Sequence, residues 1–308
     1  MTGTRESPRA VRPLSARGRT ILSVDDAHLE SQARWVLRFA GGNLTHYPNF
    51  RIGLNSMPSR SSTPAQIATQ IRRALKHGGS TEHASGVQWF FKNEIKSHGW
   101  YTADLRRAAR SFRFEIRKEF GLDFLIRVAD EIFFGSVLEE KVVAVFLLEK
   151  LDAEFGDREF ELFESWLDRI SNWADHDALV HDLIAPMVAS RPARVKNVFR
   201  WAKSRNRWHR RAACVALIRG TRAKMFFPEI ARLSNSLLTD EDDMVQKGLG
   251  WLLRETAKFD AKRTVPYLMK IRRRAPRLVL RTACETLPGT VRKRILKAQA
   301  DVSRQVRR

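Results

Sequence analysis

Trp173 and Asp177 lie four residues apart in SNWADHDALV, residues 171–180, a spacing that sets an indole and a carboxylate on one face of a helix. Just downstream, Arg191, Arg194, Lys196, Arg200, Lys203, Arg205, Arg207, Arg210 and Arg211 crowd together, and no acid occurs between Leu183 and Pro228. Cations without acidic partners on their own helices read as a phosphate-binding surface rather than a solvated face. An acid at the floor of such a groove repels phosphate, so its presence asks for a chemical role. One such role is to stabilise the oxocarbenium character that develops at a sugar C1′ as an N-glycosidic bond breaks, and the same carboxylate can orient the attacking water. Trp173 and Trp251 then press against deoxyribose and a cationic base, an attraction of roughly 0.5–2 kcal/mol per indole face. Arg211 grips a phosphate beside the reacting nucleotide, and Lys247, Arg254 and Arg281 extend the basic contacts. An N3- or N7-alkylated purine is already cationic and leaves without a strong general acid.

Plainer roles exist for the same groups. A Trp on a helix face packs in a core, and Asp175 is placed to cap the helix that it opens. Asp175, His176, Asp177 and His181 combine carboxylates and imidazoles at helical spacing, but no further ligand cluster accompanies them, so no metal and no other cofactor is expected. A face shared between repeats is what favours chemistry.

The elements that must position these residues read as helices throughout. From STPAQIATQIRRALKH onward, with Thr63 as N-cap and Pro64 at the first helical position, apolar residues recur at helical spacing with short breaks at Gly, Pro or Ser-Arg clusters. Four segments resemble each other: EKVVAVFLLEKL from Glu140, RRAACVALIRGT from Arg210, QKGLGWLLRETA from Gln246 and LRTACETLPGTV from Leu280. Their basic positions, Lys141, Arg211, Lys247 and Arg281, are separated by 70, 36 and 34, a period of about 35 with one unmarked repeat near residue 176. Such a period in an all-α chain predicts an α-solenoid of HEAT-like repeats with a concave basic groove. Counted from the basic residue, Trp173 falls at −3, Arg211 at 0, Asp177 at +1 and Trp251 at +4, an arc of about 100° that lets all four line one groove. The opposite arc, with Val143, Ala213, Leu249, Leu147, Leu217 and Leu253, suits the interior. Leu179 and Leu183 imply a slip of phase in the unmarked repeat.

Composition bounds the rest. The chain has 308 residues, 43% of them hydrophobic, and 56 Lys and Arg against 34 Asp and Glu give a formal charge of +22, which favours a polyanionic partner over a membrane. No apolar run approaches the ~20 residues of a bilayer span. Cys214 and Cys284 read as reduced, buried thiols. Residues 1–62 read as a basic, largely disordered extension with a short helix over 26–39, residues 63–300 as the repeat domain, and 301–308 as a basic tail. A cytoplasmic, nucleoid-associated protein is expected, with organelle targeting by the Arg-rich N-terminus left open. The acidic stretch from 139 to 168 is expected to keep DNA off its surface.

In order and spacing, NWADHDALV, RWHRRAA and VQKGLGWLLRETAK resemble the motifs of the AlkD family of HEAT-like-repeat DNA alkylation repair glycosylases, over about residues 84–300 and most strongly over 171–256. The resemblance implies that Trp173 and Asp177 are the aromatic and the catalytic acid of the first motif, Arg211 the phosphate-contacting Arg of the second, and Trp251 the aromatic of the third. It implies metal-free removal of N3- and N7-alkylated purines, with the lesion held in the duplex rather than extruded. Where the family often has a second Trp this chain has Asn172, and where it has a small apolar residue this chain has His176; both departures bear on lesion preference. The leading expectation is a monomeric, monofunctional DNA glycosylase acting on duplex DNA with alkylated purines. The alternatives are a non-catalytic repeat protein that binds damaged or unusual DNA, and a protein-binding HEAT scaffold.

Overall fold

The computed structural model describes residues 61–305, with side chains through 297. The basic N-terminal tail and the helix expected over 26–39 lie outside the described residues. The first helix, α1 (Pro64–Gly78), begins as its sequence dictates. Thr63 Oγ1 accepts the Gln66 amide at 3.3 Å while Gln66 Oε1 accepts the Thr63 amide at 2.8 Å, and Pro64 occupies the position whose missing N–H costs nothing. Then follow α2 (Thr81–Gln88), α3 (Thr102–Phe120), α4 (Leu122–Phe133), α5 (Leu138–Leu148), α6 (Asp157–Ser165) and α7 (Trp173–Leu179). The chain continues through α8 (Ala185–Ser190), α9 (Val195–Trp201), α10 (Arg207–Val215), α11 (Ile218–Thr221), α12 (Phe227–Leu237), α13 (Asp243–Phe259), α14 (Ala261–Ile271), α15 (Arg277–Ala283) and α16 (Gly289–Gln305). Among the described residues the fold is all-helical, apart from a single parallel bridge between Lys96 and Val137. The last helix runs past residue 300, the boundary expected for the basic tail.

Helices α5, α7, α10, α13 and α15 stack in that order, each against the next, and form the inner ladder of an α-solenoid. The repeat unmarked by a basic residue is α7, where the period placed it. Val143, Leu147, Ala213, Leu217, Leu249 and Leu253 are all buried between the ladder and the outer helices α4, α9, α12, α14 and α16. Full burial of each Leu is worth about 2 kcal/mol.

The helix leaves regular α geometry just after α7, and for a local reason. Pro186 has no amide hydrogen to donate to the carbonyl four residues back, so the ladder of hydrogen bonds reorganises ahead of it. Residues Val180–Ile184 form one π-helical turn, in which the Ala185 amide donates to the Val180 carbonyl five residues back. Leu179 and Leu183, one turn apart, are both buried in the core. Cys214 and Cys284 are free and buried, and burial pushes their thiols up to about 12 and about 11.

Several acids between 139 and 168 serve as ion-pair partners for the rest of the chain. Glu149 holds Arg106 at 2.8 Å, Glu154 holds Arg117 at 2.5 Å, Asp157 holds Arg191 and Arg194, and Glu164 holds Arg200 at 2.5 Å. Stacking brings these four acids beside cations that sequence separation hides.

Candidate nucleic-acid interface and acidic site

Asn172, not Asp175, caps α7. Its side-chain oxygen accepts the amides of Ala174 and Asp175, and Asp175 reaches back to the Asn172 and Ser171 amides as the third residue of a capping box. Asp175 is fully buried and pairs with Lys141 of α5 at 3.3 Å. This is a structural pair that ties two rungs of the ladder.

Asp177, on the same helix, faces α10. Arg211 Nε donates to its Oδ1 at 2.9 Å and Arg211 Nη2 to its Oδ2 at 2.7 Å, a bidentate fork, while His176 Nδ1 lies 2.8 Å from Oδ1. Burial raises the carboxyl's pKa, but the charge of Arg211 and the bonds from His176 and Arg211 outweigh it and hold the group at about 2. Asp177 is therefore ionised at any physiological pH, with 14% of its side chain exposed.

Arg211 differs from its sequence-based role. Only 3% exposed, it gives its third donor, Nη1, to the Met244 carbonyl at 2.6 Å and lies across α13 where Gly248 has no side chain. A Cβ at Gly248 would stand 3.1 Å from Arg211 Cγ. The guanidinium holds the carboxylate and is not presented to a phosphate.

The two Trp flank this pair. Trp173, at the first turn of α7, is 5% exposed and stacks on Phe91 with ring centroids 5.2 Å apart. Half-buried Trp251, on α13, stacks on His181 at 5.9 Å. Because His181 lies four residues beyond Asp177, the indoles sit about one helical turn to either side of the carboxylate. The structure joins Asp177 and Arg211 directly, and each Trp meets a ring: Trp173 that of Phe91, absent from the expectations, and Trp251 that of His181, considered there only as a metal ligand.

Phe91 belongs to the segment between α2 and α3. Glu139 anchors that segment by accepting the amides of His98 (2.9 Å), Gly99 (2.9 Å) and Trp100 (3.2 Å), and Gly99 adopts φ 77°, which a side chain disfavours. The aromatic run Trp89-Phe90-Phe91 after a helix was the one available sequence signal. Together with the N-terminal ends of α5, α7, α10 and α13, the segment walls a cavity of about 620 Å³ lined by Phe91, Lys92, Trp173, Arg207, Trp208 and Met244 among others. Several helix N-termini converge there and lend the cavity mouth a positive bias.

The basic run is mostly neutralised: its cations have no acidic partners on their own helices, but acids of neighbouring elements pair with most of them, which corrects the reading of a bare positive surface. Arg194 is buried and bonds the Met187 and Gly156 carbonyls as well as Asp157. Arg191 and Arg200 pair with the α6 acids, and Arg207 pairs with Asp242 at 3.3 Å. Arg210 pairs with Asp240 at 2.6 Å, Lys247 with Asp243 at 3.2 Å, and Arg254 with Glu285 at 2.5 Å. Arg281 is half-buried. Among the described residues, Lys196, Lys203 and Arg205 are exposed and in no ion pair. So are Lys270, Arg273, Arg274 and Arg277 around the start of α15, in the second basic run of the sequence, KIRRRAPRLVLR at residues 270–281. No group of three or more His, Cys, Asp or Glu is arranged to hold a metal among the described residues.

A stack of paired helices with a carboxylate–guanidinium pair between adjacent rungs defines the class: an α-solenoid repeat protein with a built, charged site on its inner ladder. The family described as DNA alkylation repair enzyme matches residues 71–287, and the chain belongs to it. Membership gives the chain a role in DNA repair, with DNA as its partner. A solved structure described as a predicted DNA alkylation repair enzyme from Enterococcus faecalis superposes with a TM-score of 0.62 at 17% identity, covering 68% of this chain and 97% of that one, a likeness of fold. No curated protein matches the chain.

Proposed function

We propose that the protein is a monofunctional DNA glycosylase of the AlkD type that releases N3- and N7-alkylated purines from duplex DNA. The observation that carries this reading is Asp177: a carboxylate held ionised at about 2 and flanked by two indoles, in a member of a DNA alkylation repair family. In the reaction the C1′–N bond breaks and its electron pair leaves with the alkylated base, which departs neutral. The positive charge passes to C1′, where Asp177 stabilises it and orients a water. Water adds to C1′ and loses a proton, leaving a free base and an abasic site. Arg211 keeps the carboxylate ionised and aimed, and the phosphate contacts fall to exposed cations such as Lys196, Lys203, Arg205 and Arg277.

A second reading, a non-catalytic module that binds damaged DNA, draws on the same pair: a carboxylate already satisfied by Arg211 and His176 has a structural reason to be there. Asp177→Asn decides between them, because Asn still offers an acceptor to Arg211 but no charge. Under the glycosylase reading, wild type releases 3-methyladenine and 7-methylguanine from methylated duplex DNA without regard to EDTA, and the variant binds DNA at least as well but releases almost nothing. If wild type frees base and the variant matches it, Asp177 is not the catalytic acid. If wild type frees none, the binding module is favoured.

A further inference from the structure

We propose that His176 is a positioning residue whose one titratable proton sets the net charge of the cluster around Asp177. The inference rests on the glycosylase reading and deepens it. The ring is wholly buried between two acceptors, with Nδ1 2.8 Å from Asp177 Oδ1 and Nε2 3.0 Å from the Trp208 carbonyl. A carbonyl and an ionised carboxylate only accept, and a neutral imidazole has one N–H to give. The neutral ring therefore satisfies one neighbour, and only the imidazolium satisfies both. Since a hydrogen bond to a carboxylate is the stronger of the two, the neutral ring keeps its proton on Nδ1, facing Asp177.

The surrounding charges are few. Asp177 on α7 and Arg211 on α10 touch the cluster; Asp175, the other buried acid of α7, is tied to Lys141 of α5, and Lys247 of α13 is tied to Asp243. On the 89–101 segment, Lys92 also pairs with Asp243. With His176 neutral, Arg211 and Asp177 sum to zero and the carboxylate holds full negative charge. With His176 protonated the trio carries one positive charge, and Asp177 is clamped between two cations. That form opposes a developing positive centre at C1′, so excision is favoured by the neutral ring. Burial lowers the His176 pKa below its ordinary 6.5, opposed by the Asp177 bond. The acid limb of the reaction belongs to His176, because Asp177 itself titrates at about 2.

Two measurements test this. In nitrogen-15 NMR of the free wild-type protein, His176 should titrate once below 6.5, reach a form with both nitrogens protonated, and titrate lower still in Asp177→Asn. In single-turnover release of 7-methylguanine from methylated duplex DNA, the wild-type rate should fall about tenfold per pH unit below that midpoint. His176→Asn, whose amide keeps a donor near the Nδ1 position but does not titrate, should lose this limb, and His176→Leu should be slow at every pH. A His176 titration indifferent to Asp177→Asn overturns the proposal, as does an acid limb that survives in His176→Asn. Should that variant fail to fold, a wild-type rate midpoint, taken with protein well below saturation so that it reports the free protein, that departs from the NMR midpoint overturns it equally. Should wild type release no base, the glycosylase reading falls, and the coupled NMR titration alone decides whether His176 tunes Asp177.

Discussion

Arg211 and Asp177 form a bidentate pair at 2.7 and 2.9 Å across two rungs of the solenoid, although 34 residues separate them. The pair ties α7 to α10, and through the Met244 carbonyl to α13, so one guanidinium sets the spacing of three rungs. A residue expected to meet DNA is thereby part of the fold that holds the acid in place.

Acid should release this tie. Asp177's folded pKa, about 2, lies below its ordinary 3.8, so the pair's contribution is complete above about 4 and is lost as pH falls through about 2. The shift is worth about 2 kcal/mol. Urea unfolding of wild type and Asp177→Asn should show the gap between them narrowing by that amount over this window. A gap independent of pH would mean the pair does not form in solution.

Arg211→Lys should be far from conservative. A lysine has no planar fork for both carboxylate oxygens and cannot also reach the Met244 carbonyl. Breaking a buried pair from one side costs about 3–5 kcal/mol when the partner is left unpaired. A melting temperature within a degree or two of wild type would show that Arg211 is available for another role.

The basic residues separate by partner. Replacing Lys196, Lys203 and Arg205 together by Ala should reduce the slope of log affinity for duplex DNA against log salt by up to about 3, near 0.9 for each phosphate no longer neutralised, with little change in stability. Arg194→Ala should do the reverse: it removes a buried guanidinium that ties the Met187 and Gly156 carbonyls to the exposed Asp157 carboxylate, so it should lower stability and leave the slope alone. Equal slopes in all variants would move the DNA path toward Lys270, Arg273, Arg274 and Arg277.

The ladder was legible in the sequence because it is local and periodic. Thr63 and Pro64 start α1 by short-range rules, and Lys141, Arg211, Lys247 and Arg281 recur at the period that stacking demands. The shared face of Trp173 and Asp177 also follows from spacing. Partners across the stack do not: nothing near Arg194 or Arg200 in the chain announces Asp157 or Glu164, so an acid-free run read as bare positive surface. Phe91 was missed for the same reason, and His181 was considered only as a metal ligand, since each meets its Trp from another element. His176 stood out only as a member of the Asp-His-Asp triplet and as a departure from a motif, because a buried imidazole between two acceptors is a fact of three dimensions.

The two indoles should divide by burial. Trp173 is nearly buried and stacked on Phe91, so it belongs to the core as well as to the site, whereas half-buried Trp251 rests on His181 at the edge of the ladder. Trp173→Ala should therefore cost about 3–5 kcal/mol of stability, and Trp251→Ala less than about half of that. Below the melting transition, Trp251→Ala should slow base release by about tenfold, the effect of removing one indole face from a cationic nucleotide, while affinity for undamaged duplex stays within about twofold because phosphate binding dominates it. Trp173→Phe, which keeps a ring against Phe91, should recover most of the stability that Trp173→Ala forfeits and so separate packing from chemistry. If Trp251→Ala weakens undamaged-DNA binding as much as it slows release, its role is to grip the duplex rather than the reacting nucleotide.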